Sequence, residues 1–536
     1  MGSQTRSQSP FFQPFLFAFR IFQWLTNLVF APTPPPPSSR LGRPKVAIIG
    51  AGITGVSAAA HCIGHGFEVV IFEAGTEKNL GGIWSVSNRS ALKVPYNATA
   101  NLGLQNVNTT SSLQIHSAMF RFHPSVQWDR GYPDRQQILS QVRHIWEKYG
   151  LGTRTRFETR IEKVYKDDQG RWIINNTANG RFDGIIAAIG TCGDPKMPHM
   201  DGIENFQKPV HHSSQLTGVN VEGKTMIIIG GGASAVEALE YAFEEGAKKV
   251  YILSRSDKWI IPRNAIVDIL LSLNIWGQET PFSWIPERLL KRYFYRDLRD
   301  IAPDSKGIFT DTPMVNSDVM GKLRSGDAEW IRCDIESFRE GGVFVNKRDK
   351  GVPKGGPGRK IDIPGDILVM ATGYKRPGLD FLPEDSFQEP YGPPNWYLQT
   401  FPPQHPSISA INCTYISAIG TVGNWHIGIY TRILLMFLID PLTRPSEFWM
   451  ERWIDMTKVL KAFAPTGAFD FFTYLELLWW FTFCVAFNPF RWKWALFVFF
   501  GLGLVLPKRI VEKEEQIRNG MGMHQGADKP DVGRSF

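Results

Sequence analysis

The chain has 536 residues, enough for about three or four domains at roughly 150 residues each. Its 43% hydrophobic and 21% charged residues allow a buried core and exclude a disordered or collagen-like protein. The net charge of +8 is carried by dispersed Lys and Arg, which argues against nucleic-acid binding and gives only a weak attraction to membrane surfaces.

The first apolar element covers residues 11–30, FFQPFLFAFRIFQWLTNLVF. As a helix it would reach about 30 Å, the hydrocarbon thickness. Gln13, Arg20, Gln23 and Asn27 form a polar stripe along it, so spanning the bilayer and lying in its interface both stay open. A Pro-rich linker, PTPPPPSS, follows, so residues 1–43 read as a membrane segment with its tether. Arg40, Arg43 and Lys45 stand after the apolar run and only Arg6 before it. The positive-inside rule then puts the body in the cytosol, on an endoplasmic-reticulum-like membrane. Five sequons, at Asn88, Asn97, Asn108, Asn175 and Asn412, would carry glycans only if the body were lumenal. The cysteines are Cys62, Cys192, Cys333, Cys413 and Cys484, with no Cys-x-x-Cys pair. No zinc or other metal site and no redox dithiol is indicated, and the compartment reads as reducing.

From Pro44 the sequence KVAIIGAGITG gives a strand, then Gly50-x-Gly52-x-x-Gly55, then a helix rich in Ala. Gly50 permits the tight turn, Gly52 lets a pyrophosphate approach the backbone, and Gly55 lets the helix pack on the strand. The next strand, FEVVIFE, ends in Glu73, whose carboxylate would accept ribose hydroxyls and repel a 2′-phosphate. A second copy follows at KTMIIIGGGASAVEALEYA, with Gly230, Gly232, Ser234 and Ala235 in the loop. Its next strand ends in Ser254-Arg255, and a guanidinium there suits the 2′-phosphate of NADPH. Opposite ribose chemistry in the two halves implies one flavin and one nicotinamide coenzyme. FDGIIAAIG and DIPGDILVMATGY look like crossings between the two.

The fold class expected is therefore α/β, with two Rossmann-like dinucleotide-binding domains, the NADPH domain inserted into the FAD domain. Residues 44–195 would form the first part of the FAD domain, 196–365 the NADPH domain and 366–440 the return. Residues 441–507 would hold C-terminal membrane-associating helices. Within them the apolar runs 471–487 and 495–506 flank NPFRWKW. They read as a re-entrant hairpin or a monotopic patch, with a buried core hairpin as the alternative. Trp492 and Trp494 with Arg491 and Lys493 suit a headgroup layer. Residues 508–536 read as a polar, mobile tail.

At residues 44–440 the chain resembles the flavin-containing monooxygenases. The motifs are Glu73 with Gly81-Gly82-Ile83-Trp84, the second glycine loop from Gly230 to Ala235, and Ala371-Thr372-Gly373-Tyr374. The resemblance implies FAD held by Gly50, Gly52, Gly55, Glu73, Gly82, Trp84, Gln114 and Gly373. It implies NADPH held by Gly230, Gly232, Ser234, Ala235 and Arg255. Asn108 in NVNTTSS matches the family's active-site Asn, with Gln114 as the rival position. IGTVGNWHIGIYTR resembles the segment whose helix start faces the flavin ring, with Asn424 and His426 as candidates. The family's Phe-x-Gly-x-x-x-His-x-x-x-aromatic fingerprint is half kept: Phe206 and His212 are present, but Lys208 and Leu216 replace Gly and the aromatic.

The activity so implied is an NADPH- and FAD-dependent monooxygenase at a membrane, similar to membrane-attached fungal biosynthetic members. Through a flavin hydroperoxide it would insert one atom of molecular oxygen into an apolar secondary metabolite, by hydroxylation, epoxidation or heteroatom oxidation. The broken fingerprint disfavours Baeyer–Villiger insertion, which stays the first alternative. A non-enzymatic flavoprotein sensor and an NADPH oxidase are the others. A disulfide reductase is excluded because Cys62 has no partner after the first helix. Oligomeric state and substrate are not legible.

Overall fold

The structure is a computed structural model. It describes residues 13–85, 107–108, 110–272, 279, 281–303, 307–309, 313–414, 424–462 and 473–521.

In chain order, α1 (Gln13–Phe30) precedes β1 (Gly42–Ile49), α2 (Ile53–Gly64) and β2 (Phe67–Phe72). Then come α3 (Arg135–Lys148), β3 (Thr155–Arg156), β4 (Val164–Lys166), β5 (Trp172–Ile174), β6 (Asn176–Phe182) and β7 (Gly184–Ala187). The second unit begins with β8 (Val210–His212), β9 (Thr225–Ile229), α4 (Ala233–Glu244), β10 (Lys249–Ser254) and β11 (Ile260–Ile261). It continues through α5 (Ala265–Ser272), α6 (Trp284–Leu289), β12 (Met314–Val315) and α7 (Asp318–Arg324). The strands β13 (Ala328–Arg339), β14 (Gly342–Lys347), β15 (Arg359–Pro364) and β16 (Ile367–Met370) complete it. The chain returns through β17 (Ile408–Ala410), α8 (His426–Ile439) and α9 (Glu447–Ala462). It ends in α10 (Thr473–Trp479), α11 (Pro489–Trp492), α12 (Ala495–Phe500) and α13 (Val505–Gly520).

The first sheet is parallel, in the order β17-β7-β1-β2-β3. Its central strand ends in Val46-Ala47-Ile48-Ile49 because both faces are covered, one by α2 and α8 and the other by the strands β4–β6 with Leu379 and Trp396. On one face α2 places Ala58, Ala59 and Ala60 in the core. The second sheet has the order β15-β14-β13-β10-β9-β16-β8. It is parallel from β8 to β13, and β14 and β15 are added antiparallel. A small antiparallel sheet, β4-β5-β6, hangs from the first unit.

One boundary differs from expectation. The strand Ile367–Met370, placed by sequence in the return to the FAD domain, pairs with β9 and β8 inside the second sheet. The return therefore begins after Met370, not at 366. An Asp-led apolar run ending in Gly closes either sheet, so sequence pattern alone cannot assign it.

The ends are folded against the body. α1 is built inside out: Gln23 and Thr26 are buried, whereas Phe15, Phe17, Trp24, Leu25 and Leu28 are exposed. Gln23 docks the helix, its amide donating to the Trp128 carbonyl at 3.0 Å and accepting from the Trp128 amide at 2.7 Å. Among the described residues no single helix is long and apolar enough to cross a membrane. The C-terminal helices are two-faced. Leu477, Trp480, Phe497 and Val498 complete the first core, while Phe483, Phe487, Leu496 and Leu506 are exposed.

Of the four residues assigned to a headgroup layer, only Trp492 is exposed. Trp494 and Lys493 turn inward because Asp440 is buried and needs donors: the Trp494 indole bonds it at 2.9 Å and the Lys493 ammonium at 3.2 Å. Arg491 is buried on the Thr443 carbonyl at 2.8 Å. The polar tail is helical as far as Gly520, where α13 ties Glu514 to Lys493. Its Glu, Lys, Arg and Gln residues are strong helix formers.

Candidate active site

The loop between β1 and α2 is fixed by sterics. A Cβ at Gly55 would lie 1.9 Å from the Gly50 carbonyl oxygen, and one at Gly50 (φ +106°) would lie 2.7 Å from that of Ala188. Gly52 differs: a Cβ there would meet only Gly82 atoms, the nearest at 3.7 Å. It faces the Gly81-Gly82 pair, whose Gly81 amide donates to the Ala51 carbonyl at 3.0 Å. Glu73 stands at the mouth of this loop, accepting from the Ala51 amide at 2.7 Å and the Gly75 amide at 2.8 Å. A carboxylate has about four acceptor positions, so it keeps capacity for ribose hydroxyls. Trp84 closes the loop with its carbonyl on the Arg135 guanidinium at 3.0 Å.

The second loop repeats the plan. A Cβ at Gly230 (φ +130°) would lie 2.3 Å from the Ala371 carbonyl oxygen, whereas one at Gly232 would meet nothing within 4 Å. Gly231, unremarked in the sequence, is also constrained, since its Cβ would lie 2.2 Å from the Ser254 hydroxyl. Ser234 sits in the first turn of α4, and Ala235 is buried against the sheet. Arg255 is exposed just past β10, its carbonyl held by Arg348 at 2.7 Å. Both loops thus leave an open glycine face where a pyrophosphate would lie, and the residues present fit FAD in the first and NADPH in the second.

The two units meet where Asn108 reaches across, its side-chain amide donating to the Ser213 carbonyl at 3.0 Å. Asn108 is buried, and its Oδ1, with the hydroxyls of Thr110 and Ser213, has no hydrogen-bond partner among the described residues. Such orphaned buried oxygens are costly unless something else satisfies them.

The profile of the family described as pyridine nucleotide-disulphide oxidoreductase matches residues 47–312. Flavin-containing monooxygenase 5 of Rattus norvegicus is 25% identical over 450 residues, covering 77% of this chain and 79% of that protein. A Baeyer-Villiger monooxygenase of Pseudomonas aeruginosa is 28% identical over 242 residues, covering 44% of this chain and 42% of that protein. An oxidized steroid monooxygenase bound to NADP has a similar fold, with a TM-score of 0.57, 16% identity, and coverage of 88% of this chain and 97% of that one. Over most of its length the chain is thus similar to the flavin-containing monooxygenases. It is an FAD-dependent NADPH oxidoreductase.

The seam also holds a residue that sequence reasoning missed. Glu237 on α4 accepts from the Ser111 hydroxyl at 3.3 Å and from Gln114, with Tyr374 and Cys192 also near. Gln114 therefore touches the NADPH-side helix. Burial, and then the neighbouring Glu240, push the Glu237 carboxyl up to about 7. Glu240 is committed elsewhere, to Arg263 at 2.8 Å and Asn316 at 2.7 Å. The available signal was the pair of acids at positions 237 and 240 within the largely apolar run at residues 233–242.

Because the folded protein holds the Glu237 proton more tightly than the unfolded chain, its contribution to stability is full below about 4.5 and lost as pH rises through about 7. Glu237→Gln should therefore melt a few degrees higher than wild type at pH 8 and no higher at pH 5, measured on flavin-loaded protein. A pH-independent difference would contradict the assignment.

His212 is a strut at the same seam. Ser214 N donates to its Nδ1 at 3.2 Å, so Nε2 carries the proton that meets the Gly373 carbonyl at 2.9 Å. Burial pulls its pKa down to about 4. Lys208 is exposed, and Leu216 lies in the second core. On the flavin side, Asn412 joins the start of α8 to α2. It donates to the Thr54 hydroxyl at 3.0 Å and to Asn424 at 3.3 Å, and bonds His426 Nε2 at 2.7 Å. Burial pulls His426 down to about 3, so it is a neutral packing and bonding element. Residues 419–423 of the segment IGTVGNWHIGIYTR lie outside the described residues.

Proposed function

We propose that this monooxygenase works at a membrane surface on an apolar small molecule of the secondary-metabolite kind. The observation that carries it is the seam: Asn108 of the first unit is bonded to Ser213 of the second, and its amide oxygen has no partner among the described residues. When bound, NADPH supplies hydride and FAD the means of activating molecular oxygen. The chain would hold FAD through Gly50, Gly52, Gly55, Gly82 and Glu73, and NADPH through Gly230, Gly232, Ser234 and Arg255. Asn108 would offer hydrogen bonds to the reacting end of the cofactors. The buried seam would keep that place dry, which limits loss of activated oxygen as hydrogen peroxide.

Electrophilic oxygenation is favoured over Baeyer–Villiger insertion. Of the fingerprint's two altered positions, one is solvent-facing Lys208 and the other the core side chain Leu216. Neither supplies what the missing Gly and aromatic would. Incubation with NADPH, labelled oxygen gas and an apolar cell extract should place one labelled atom in an amine, thioether, alcohol or epoxide. Label found only in an ester or lactone would favour insertion beside a ketone. Label found only in hydrogen peroxide would reject the monooxygenase.

The inside-out α1 supports membrane attachment, since exposed apolar surface of this extent marks an interaction site. Phe30 of α1 stacks on Phe500 of α12 at 5.8 Å, so both ends contribute to one apolar face. A cytosolic body is supported by the sequons. Asn108 and Asn412 are buried, and the Asn175 side chain is spent on three backbone groups. Asn88 and Asn97 lie outside the described residues. Deleting residues 1–43 should leave the protein in the membrane pellet, unshifted by glycosidase. Full release, or a glycosidase-sensitive band, would refute this arrangement.

A further inference from the structure

A cavity of about 270 Å³ lies between α1, the α2–α8 pair and α12, and no residue of either glycine loop lines it. His61, which lines it, is two turns beyond Ile53 on α2, about 12 Å along the helix from the pyrophosphate end. The cavity has two chemically different parts. Its inner wall carries Arg121, Arg432, His61 and His123; its outer wall carries Phe30 and Phe500.

The inner wall is cationic and uncompensated. Arg432 is buried, with its guanidinium on the Val498 carbonyl at 2.8 Å, the Phe499 carbonyl at 3.2 Å and His61 Nδ1 at 3.3 Å. Arg121 is buried on the carbonyls of Pro124 and Val126 and on Gln23 Oε1, and its Nε has no partner among the described residues. Among the described residues no carboxylate pairs with either. His123 is buried too: its Nδ1 accepts from the Ser125 amide at 3.1 Å, and its Nε2 has no partner among the described residues. Its ring lies 4.7 Å from that of His61. Burial drives both imidazoles well below their ordinary range, so they are neutral, whereas Arg432, pulled down to about 9, stays charged near neutrality. Burying a guanidinium among neutral acceptors alone is costly, and an anion in the cavity would offset that cost. Gly428 lets His61 and Arg432 pack against the α8 backbone, since a Cβ there would lie 2.6 Å from His61 and 2.8 Å from Arg432.

The outer wall is the Phe30–Phe500 pair, which belongs to the apolar face formed by the two ends of the chain. We infer that this cavity is a binding site for a single-chain carboxylate amphiphile, of the fatty-acid class. The carboxylate would sit on Arg432 with His123 as a second contact, and the chain would leave past Phe30 and Phe500 along the exposed faces of α1 and α12. At this size the cavity admits the head and first carbons of one chain, not a two-chain lipid. The inference does not depend on the reaction proposed above.

Titration of the flavin-loaded, full-length protein in neutral detergent with cis-parinaric acid tests it. The acid should bind at one site per chain, and the corresponding alcohol at least tenfold more weakly, because only the acid carries the charge. Arg432→Met should weaken the acid at least tenfold and leave the alcohol unchanged. Ile429→Trp, which fills the cavity without touching the charge, should abolish binding of both. It keeps the test decisive if Arg432→Met fails to retain flavin. Equal binding of acid and alcohol, or full binding by Ile429→Trp, would overturn the inference. Displacement of the probe by millimolar inorganic phosphate would reassign the cavity to free anions and overturn it equally.

Discussion

Gly52→Val protein should fold, and should purify colourless. The two neighbouring glycines of the loop cannot separate folding from binding. Any side chain at Gly50 or Gly55 collides with backbone of the protein itself, at 2.7 Å and 1.9 Å. At Gly52 the first carbon is tolerated, its nearest neighbour being the Gly82 Cα at 3.7 Å. The branches of Val, however, would enter the space in which a pyrophosphate meets the α2 amides. The expected effect is loss of essentially all FAD, read from the visible absorbance per mole of protein. Far-ultraviolet circular dichroism should be unchanged. Full flavin retention would place the cofactor elsewhere.

The glycine loops were legible in the sequence because their chemistry is local. A strand, three small residues, a helix and a terminal acid or base lie within a short stretch, and each residue answers to a steric or electrostatic demand that needs no distant partner. The seam between the units was not legible in that way. Glu237 gains its character from burial and from Ser111, Gln114 and Glu240, and two of these come from the other unit. Asn108 could be matched to a family position, but its bond to Ser213 joins residues far apart in the chain.

The same limit explains Trp494. Beside Arg and Lys it reads as an interfacial residue, and only the fold brings it to the buried Asp440. α1 shows the converse. Its polar stripe was visible, but sequence could not tell whether that stripe faces water or protein. Gln23 bonded to Trp128 and Arg121 answers this.

The central claim is that a flavin on the first loop is reduced by NADPH on the second, and Arg255 offers the most direct access to it. The side chain is exposed at the end of β10, next in the chain to Ser254, whose hydroxyl lies against Gly231 of the second loop. There it can pair with a 2′-phosphate that NADH lacks. A charge-assisted hydrogen bond of this kind is worth about 1.5–3 kcal/mol, on the order of tenfold or more in affinity. The measurement is anaerobic rapid mixing of flavin-loaded protein with each coenzyme, following bleaching of the flavin band. Wild type should be bleached by NADPH at concentrations at least tenfold lower than NADH requires, and Arg255→Ala should lose that preference by weakening NADPH alone. A flavin left oxidised by both coenzymes, or an Arg255→Ala variant weakened equally toward both, would contradict the account.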